Sequence, residues 1–337
     1  MLVRGMDEYI EMSTSIRARL RRQIYISVEY VSRYGLLLIL LLVACGVAGP
    51  DAAAQRTTYD QRALGDLLNR QGEGPLPPEP IPYAVYTIEH SSGNSVRARH
   101  DLYNKIGAGE PERGRERLAL TLLLNGATLT DLRLGDTLAL PARPEHFDLD
   151  PRAYSPFPLE YPGAAYIEKV VVVDKDVQSW AAYEYGQLKR WGPASTGAEG
   201  TPTPTGRFYM NWRELERVST ESPPDQVWRM RYVMNIHNTR GIHLHQYDSV
   251  PSGPPVGHGC VRMILPDAKW LWEWSHPWIT TAGRGAIGGE VKKRGTMVIV
   301  QGEEPKQTPR RVTIEPHGAR RIIVSLPPDP ELVELGV

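Results

Sequence analysis

The stretch GIHLHQYDSVPSGPPVGHGCVRM, residues 241–263, gathers three of the chain's nine histidines and one of its two cysteines. His243 and His245 are separated by a single residue, so on an extended strand both side chains face the same way. His258 and Cys260 follow, on either side of Gly259. A thiol in such company suits nucleophilic acyl chemistry. A free cysteine titrates near about pH 8.5, and a neighbouring histidine or a local positive field lowers that value and supplies thiolate. The thiolate attacks a carbonyl carbon to give a thioester, which an amine then resolves. Gly259 removes side-chain bulk beside the nucleophile, so the main chain can approach a substrate and its N–H groups can face an oxyanion.

The same residues, His243, His245, His258 and Cys260, also form a respectable zinc ligand set. That reading would leave the thiol chemically idle, so the nucleophile is preferred, and neither a metal nor an organic cofactor is expected.

The elements that must carry these residues read mainly as strands. YIEKVVVVD from Tyr166 is β-branched and ends at a DKDVQ turn; SWAAYEY alternates and LKRWGPAST returns after a tight turn. GTPTPTGRFYM is a Thr-, Pro- and Gly-rich loop leading into a strand. WRMRYVMNIHN, RGIHLHQY and GTMVIV supply further strands. After Cys260, LPDAKWLWEW predicts a helix with Asp267 in the N-cap region and Trp270 and Trp274 on one face. Residues 303–337 read as a Pro- and charge-rich tail with one short strand, RRIIVSL. Plentiful Gly and Pro (31 and 29) with many Tyr and few Phe (16 and 3) fit a loop-rich β protein. The 39 basic and 39 acidic residues balance, so no net field points to nucleic acid.

Residues 36–44, LLLILLLVA, follow a basic segment and are too few to span a bilayer, which takes roughly 20. They describe an export signal. The end of the run, LVAC at Cys45, resembles the lipobox of bacterial lipoproteins, which implies a lipidated Cys45; the alternative is a signal cleaved further on, near Ala54. Gly46 follows that cysteine rather than the Asp that resembles an inner-membrane retention signal, so an outer-membrane anchor facing the periplasm is expected, with a soluble periplasmic protein as the alternative. Cys260 is then a lone thiol in an oxidising compartment, where a reactive nucleophile is a good reason to keep one.

VGHGCVRM closely resembles the His-Gly-Cys motif of the L,D-transpeptidase (YkuD-type) catalytic domain. The upstream PASTGAEGTPTPTGRFYM resembles that family's STG…TPTG segment, and VVVVDKDVQSWAAYEYG resembles its entry hairpin. The resemblance implies a β-sandwich-like fold with one or two helices, a catalytic Cys260 and peptidoglycan stem peptides as substrate. It implies His243 or His245 as general base, with the GI.LH context favouring His245. His258 would orient the loop and stabilise thiolate or oxyanion, and the fork of Arg262 would take a substrate carboxylate. The family usually has Ser where Gly257 stands, which removes a hydroxyl from the loop. Residues 84–142 hold a strand-like AVYTIEH, then a helix ending at an asparagine and the strand LRLGDTLALP; this closing half resembles a LysM module, which implies binding of peptidoglycan glycan. The Gly-Asp-Thr usual near the module's first helix is missing, with SGNSV at 92–96 in its place.

The organisation expected is therefore a signal over 1–45, a flexible Pro- and Gly-rich tether over 46–83, a small LysM-like α+β module over 84–142, a catalytic domain over 160–302 and an extension over 303–337. The function expected is peptidoglycan L,D-transpeptidation. An L,D-carboxypeptidase or wall-to-protein anchoring enzyme is the alternative within catalysis, and a non-catalytic wall-binding lipoprotein the alternative outside it.

Overall fold

The computed structural model describes residues 58–77, 79–250, 252–281 and 289–336. The expected signal, Cys45 and the first part of the expected tether lie outside the described residues. Among the described residues, no helix is long and apolar enough to cross a membrane.

Residues 169–301 are built on one strongly curled sheet of nine strands in the order β6-β13-β3-β4-β5-β10-β9-β8-β7. These strands are β3 (Lys169–Asp174), β4 (Ser179–Glu184), β5 (Gln187–Ser195), β6 (Gly206–Tyr209), β7 (Trp212–Val218), β8 (Arg229–His237), β9 (Ile242–Gln246), β10 (Val261–Met263) and β13 (Met297–Gln301), while β11 (Ile279–Thr280) and β12 (Val291–Lys293) pair separately. β13 runs parallel to β3 and β10 parallel to β9; the other neighbours are antiparallel. The long β5 joins the two halves, pairing along most of its length with β4 and at its end, Ala194 and Ser195, with β10.

The halves close on each other over a core formed by Val171, Val173 and Trp180 on one side and Met234, Ile236, Ile242, Leu244, Val261 and Met263 on the other. The opposite faces of β3 and β4, with Val170, Val172, Ala181 and Tyr183, are buried in a second core shared with the N-terminal module. Burial on both faces explains why the VVVV run of β3 does not alternate, as a strand with one wet face would. Helix α4 (Leu265–Trp274) covers the first core with Ala268 and Leu271.

The segment from Tyr83 to Pro141 forms β1 (Tyr83–Thr87), α2 (Ser95–Ile106), α3 (Pro111–Asn125) and β2 (Thr137–Pro141), with β1 and β2 antiparallel. Asn94 caps α2 by accepting from the Val96 and Arg97 N–H groups, so the SGNSV segment supplies a helix start. At the end of α3, the buried Asn125 side chain donates to the Ala139 carbonyl and accepts from the Ala139 N–H, tying the helix to β2.

Three expectations need correction. The tether is not free over its described part. Helix α1 (Gln61–Leu68) buries Leu64, Leu67 and Leu68, and the Gln71 amide exchanges two hydrogen bonds with the Trp191 main chain. The amphipathic pattern is only eight residues long and runs into a Pro-rich stretch, so composition masks it. The extension is not a tail with one strand over RRIIVSL. It forms a hairpin of β14 (Val312–Glu315) and β15 (Gly318–Arg321), and β15 pairs with β1. Module and extension thus share one four-stranded sheet, β14-β15-β1-β2. Asp267 does not cap α4: Ile264 holds the N-cap position, and the fully buried Asp267 accepts from the Arg190 guanidinium at 2.7 and 3.0 Å. Trp270 and Trp274 do share a face, stacked at 5.3 Å.

Arg311 locks these parts together. It is buried to 1% exposure, and its guanidinium donates to the Tyr59 hydroxyl, the Leu123 and Gln178 carbonyls and the Ser179 hydroxyl. One side chain thereby joins the N-terminal arm, helix α3 and the turn between β3 and β4.

Candidate active site

Strand alternation decides which residues reach the site. On β9, Ile242 and Leu244 point into the core, so His243 and His245 share the opposite face. On β10, Val261 and Met263 point inward, which turns Arg262 outward. The parallel pairing sets Arg262 beside His245, and on the other side Arg262 is paired with Ser195 of β5.

Cys260, just before β10, brings its Sγ to 3.6 Å from Nδ1 of His243 and to 3.7 Å from the Gly241 carbonyl. The histidine beside the sulfur is therefore His243, not the expected His245. The ring of His245 is buried, with Nδ1 2.7 Å from the Gln246 carbonyl. The expectation failed because same-face residues on a strand differ in height along it, and only the level of His243 matches the end of the 257–260 loop.

Burial sets the protonation states. Desolvation, then the nearby Arg217 charge, lowers the His243 pKa to about 4. Desolvation likewise lowers that of His245 to about 4. The Cys260 thiol was expected to be lowered. It is instead pushed up by burial, which outweighs the opposing influences of His243 and Arg262. At neutral pH the resting pair is thus thiol and neutral imidazole, so the imidazole can accept the thiol's proton when a substrate arrives.

Trp212 packs its ring against His243 at 5.2 Å in a T-shaped contact and donates from its indole nitrogen to the Asn238 side chain, which fixes the plane against which the imidazole rests. The Arg217 guanidinium lies 5.0 Å over the same indole. His258 is exposed and lies tilted over Trp228 at 5.6 Å, so its ring contact is with the β7–β8 connection rather than the thiol. The Arg262 guanidinium sits 4.2 Å over the Tyr247 ring. With His258 on Trp228 and His245 turned to the Gln246 carbonyl, the four residues of the zinc alternative do not converge.

The loop preceding the thiol is held by main-chain geometry. Gly259 has φ of +97°, a region that favours glycine. A Cβ at Gly257 would lie 2.6 Å from the Thr196 carbonyl oxygen, so a serine there would need the loop to move. Hydroxyls from the neighbouring strand-like loop replace the missing one. Thr201 donates to the Gly257 carbonyl and Thr203 to the Gly259 carbonyl, both at 2.8 Å. The sequence contained this signal: two threonines two apart on an extended loop, opposite two glycines two apart.

Residues 168–300 match the L,D-transpeptidase catalytic domain family. No curated protein matches the chain. Among solved structures, the chain is similar to an L,D-transpeptidase from Mycobacterium smegmatis, with 23% identity over 40% of this chain and 59% of that one, at a TM-score of 0.32. It is also similar to an L,D-transpeptidase from Stackebrandtia nassauensis, with 25% identity over 41% of this chain and 57% of that one, again at 0.32. The match therefore spans less than two thirds of either structure.

Proposed function

We propose that the protein is a cysteine acyltransferase acting on peptidoglycan stem peptides, an L,D-transpeptidase in which Cys260 is the nucleophile and His243 the general base. The observation that carries this reading is the 3.6 Å approach of the Cys260 sulfur to a histidine nitrogen held neutral by burial. The match of residues 168–300 to the catalytic family supports the substrate class.

In the proposed first step, His243 takes the thiol proton as sulfur attacks the carbonyl of the third stem residue. The C–N bond to the terminal D-alanine breaks, and the proton passes to the departing amine. A thioester remains on Cys260. In the second step an acceptor amine attacks that thioester, gives up its proton to His243, and releases the thiolate, which recovers the proton. The product is an amide cross-link. Water in place of the amine would make the enzyme a carboxypeptidase, and a protein lysine would make it a wall-anchoring enzyme. The N–H groups of His258 and Cys260 have no acceptor among the described residues, which suits them to hold the oxyanion of both steps.

The strand–helix–helix–strand order of β1, α2, α3 and β2 supports a LysM-like, glycan-binding role for the module. Lipidation at Cys45 and a periplasmic, outer-membrane position complete the proposal; Cys45→Ser followed by membrane fractionation tests it, and a variant that stays membrane-bound refutes the anchor. The catalytic reading is tested by incubating wild type and Cys260→Ala with a carbapenem, which the family resemblance implies as a covalent inhibitor, and weighing both proteins. An adduct on the wild type alone is expected. Equal adducts on both would refute Cys260 as the nucleophile.

A further inference from the structure

The Gly259–Cys260 peptide poses a conformational problem. Gly259 has no Cβ to restrict its backbone, and its φ of +97° is a region that only glycine occupies readily. Such a peptide could flip, and its orientation decides where the Cys260 N–H points. A trans peptide is planar, with the carbonyl oxygen and the N–H directed to opposite sides. Whatever holds the Gly259 oxygen therefore aims the Cys260 N–H.

That holder is Thr203. Its hydroxyl donates to the Gly259 carbonyl at 2.8 Å. The same oxygen accepts from the Gly197 N–H at 2.8 Å, which leaves its single proton committed to Gly259. Thr203 is itself only 1% exposed. Its carbonyl accepts from the buried Lys175 ammonium at 3.3 Å, and Lys175 is paired with Glu304 at 3.0 Å. No other donor to the Gly259 carbonyl is present among the described residues. The Gly257 carbonyl, by contrast, is held twice, by the Ala198 N–H and the Thr201 hydroxyl, both at 2.8 Å.

We propose that Thr203 is a positioning residue for acyl transfer, whose hydroxyl fixes the Gly259–Cys260 peptide so that the Cys260 N–H is presented to the developing oxyanion. The proposal rests on the cysteine acyltransferase reading above. Thr203 touches neither substrate nor sulfur; it acts through one carbonyl. Its hydroxyl is needed only for chemistry that builds an oxyanion. Alkylation of the thiol at a saturated carbon builds none.

This difference supplies the test. Wild type, Thr203→Val, Thr203→Ser and Thr201→Val are compared for two rates at Cys260: acylation by a carbapenem and alkylation by iodoacetamide, with thermal melting as a check on folding. In Thr203→Val, acylation is expected to fall by up to about 100-fold, the lower end of the loss when an oxyanion donor is removed outright, while alkylation stays within about twofold of wild type. Thr203→Ser restores most of the acylation rate. Thr201→Val, at an exposed position that does not endanger folding, lowers the ratio of acylation to alkylation more modestly, because Ala198 still holds the Gly257 carbonyl. Equal loss of both rates in Thr203→Val would show general disorder of the loop and overturn the proposal, as would an unchanged ratio. Should Thr203→Val fail to fold, Thr203→Ala, which also removes the hydroxyl, takes its place, and an unchanged ratio there overturns the proposal. A wild type that alkylates at Cys260 but never acylates would refute the acyltransferase reading itself, and the proposal with it.

Discussion

His243 and His245 offer a clean separation of catalysis from stability. The two share a strand face and a depressed pKa, yet only His243 meets the thiol. Replacing His243 with Ala removes the proposed proton acceptor, and a general base within reach contributes about 10² to 10⁴ in rate. That corresponds to about 3–5.5 kcal/mol of barrier, at about 1.4 kcal/mol per tenfold. His245→Ala leaves the thiol's partner in place but removes a buried ring and its hydrogen bond to the Gln246 carbonyl. The lost hydrogen bond costs roughly 0.5–1.5 kcal/mol, and the cavity adds to it, for a total of roughly 2–5 kcal/mol. For a chain of this size that lowers Tm by roughly 5–15 °C. The assay is the rate of acyl-enzyme formation with a carbapenem, by mass spectrometry, normalised to folded protein, beside a melting curve for each variant. His243→Ala is expected to acylate slowly with the smaller change in melting; His245→Ala is expected to melt early but acylate at near the wild-type rate below its Tm. A folded His245→Ala protein that acylates more slowly than His243→Ala would refute the assignment of the base.

Because burial raises the Cys260 thiol and keeps His243 neutral, iodoacetamide alkylation at pH 7 should be slower than for a free thiol and climb through the alkaline range; a flat profile from acid to neutral pH would instead reveal a resting thiolate–imidazolium pair. Both histidines have folded pKa values of about 4, below the ordinary 6.5, so the unfolded chain binds more protons between these values. Their contribution to stability is therefore full above about pH 6.5 and is lost as pH falls toward 4, and Tm measured from pH 7 down to 4 should drop, less steeply in His245→Gln. Arg311→Met strands the Leu123 and Gln178 carbonyls and the Tyr59 and Ser179 hydroxyls, and should cost about 3–5 kcal/mol in urea unfolding; a loss under about 1 kcal/mol would show that the module and catalytic sheet do not depend on this side chain.

Local pattern alone determined a good deal. The β-branched and alternating runs specified β3, β4, β5, β8, β9 and β13, because a strand's period and its side-chain shapes are written in consecutive residues. The spacing of Trp270 and Trp274 specified that they share a face of α4 for the same reason, and the structure stacks them there. The loop cysteine and its histidines were legible as a set, since few residue types can do this chemistry. Strand β7 was not legible: WRELERV is mostly exposed and charged, so it carries no apolar alternation. Tertiary structure alone decided which histidine meets the thiol, because that depends on how far β9 has advanced beside the loop, a distance no spacing rule contains. It decided the direction of the thiol's shift, because burial comes from distant segments while the neighbouring charges were visible nearby. It also brought Arg311, 252 residues from Tyr59 along the chain, into one buried cluster with the N-terminal arm. An arginine beside another in a charged tail looks solvated in sequence; Arg311 becomes a lock only when four acceptors from three separate segments surround it in a buried place.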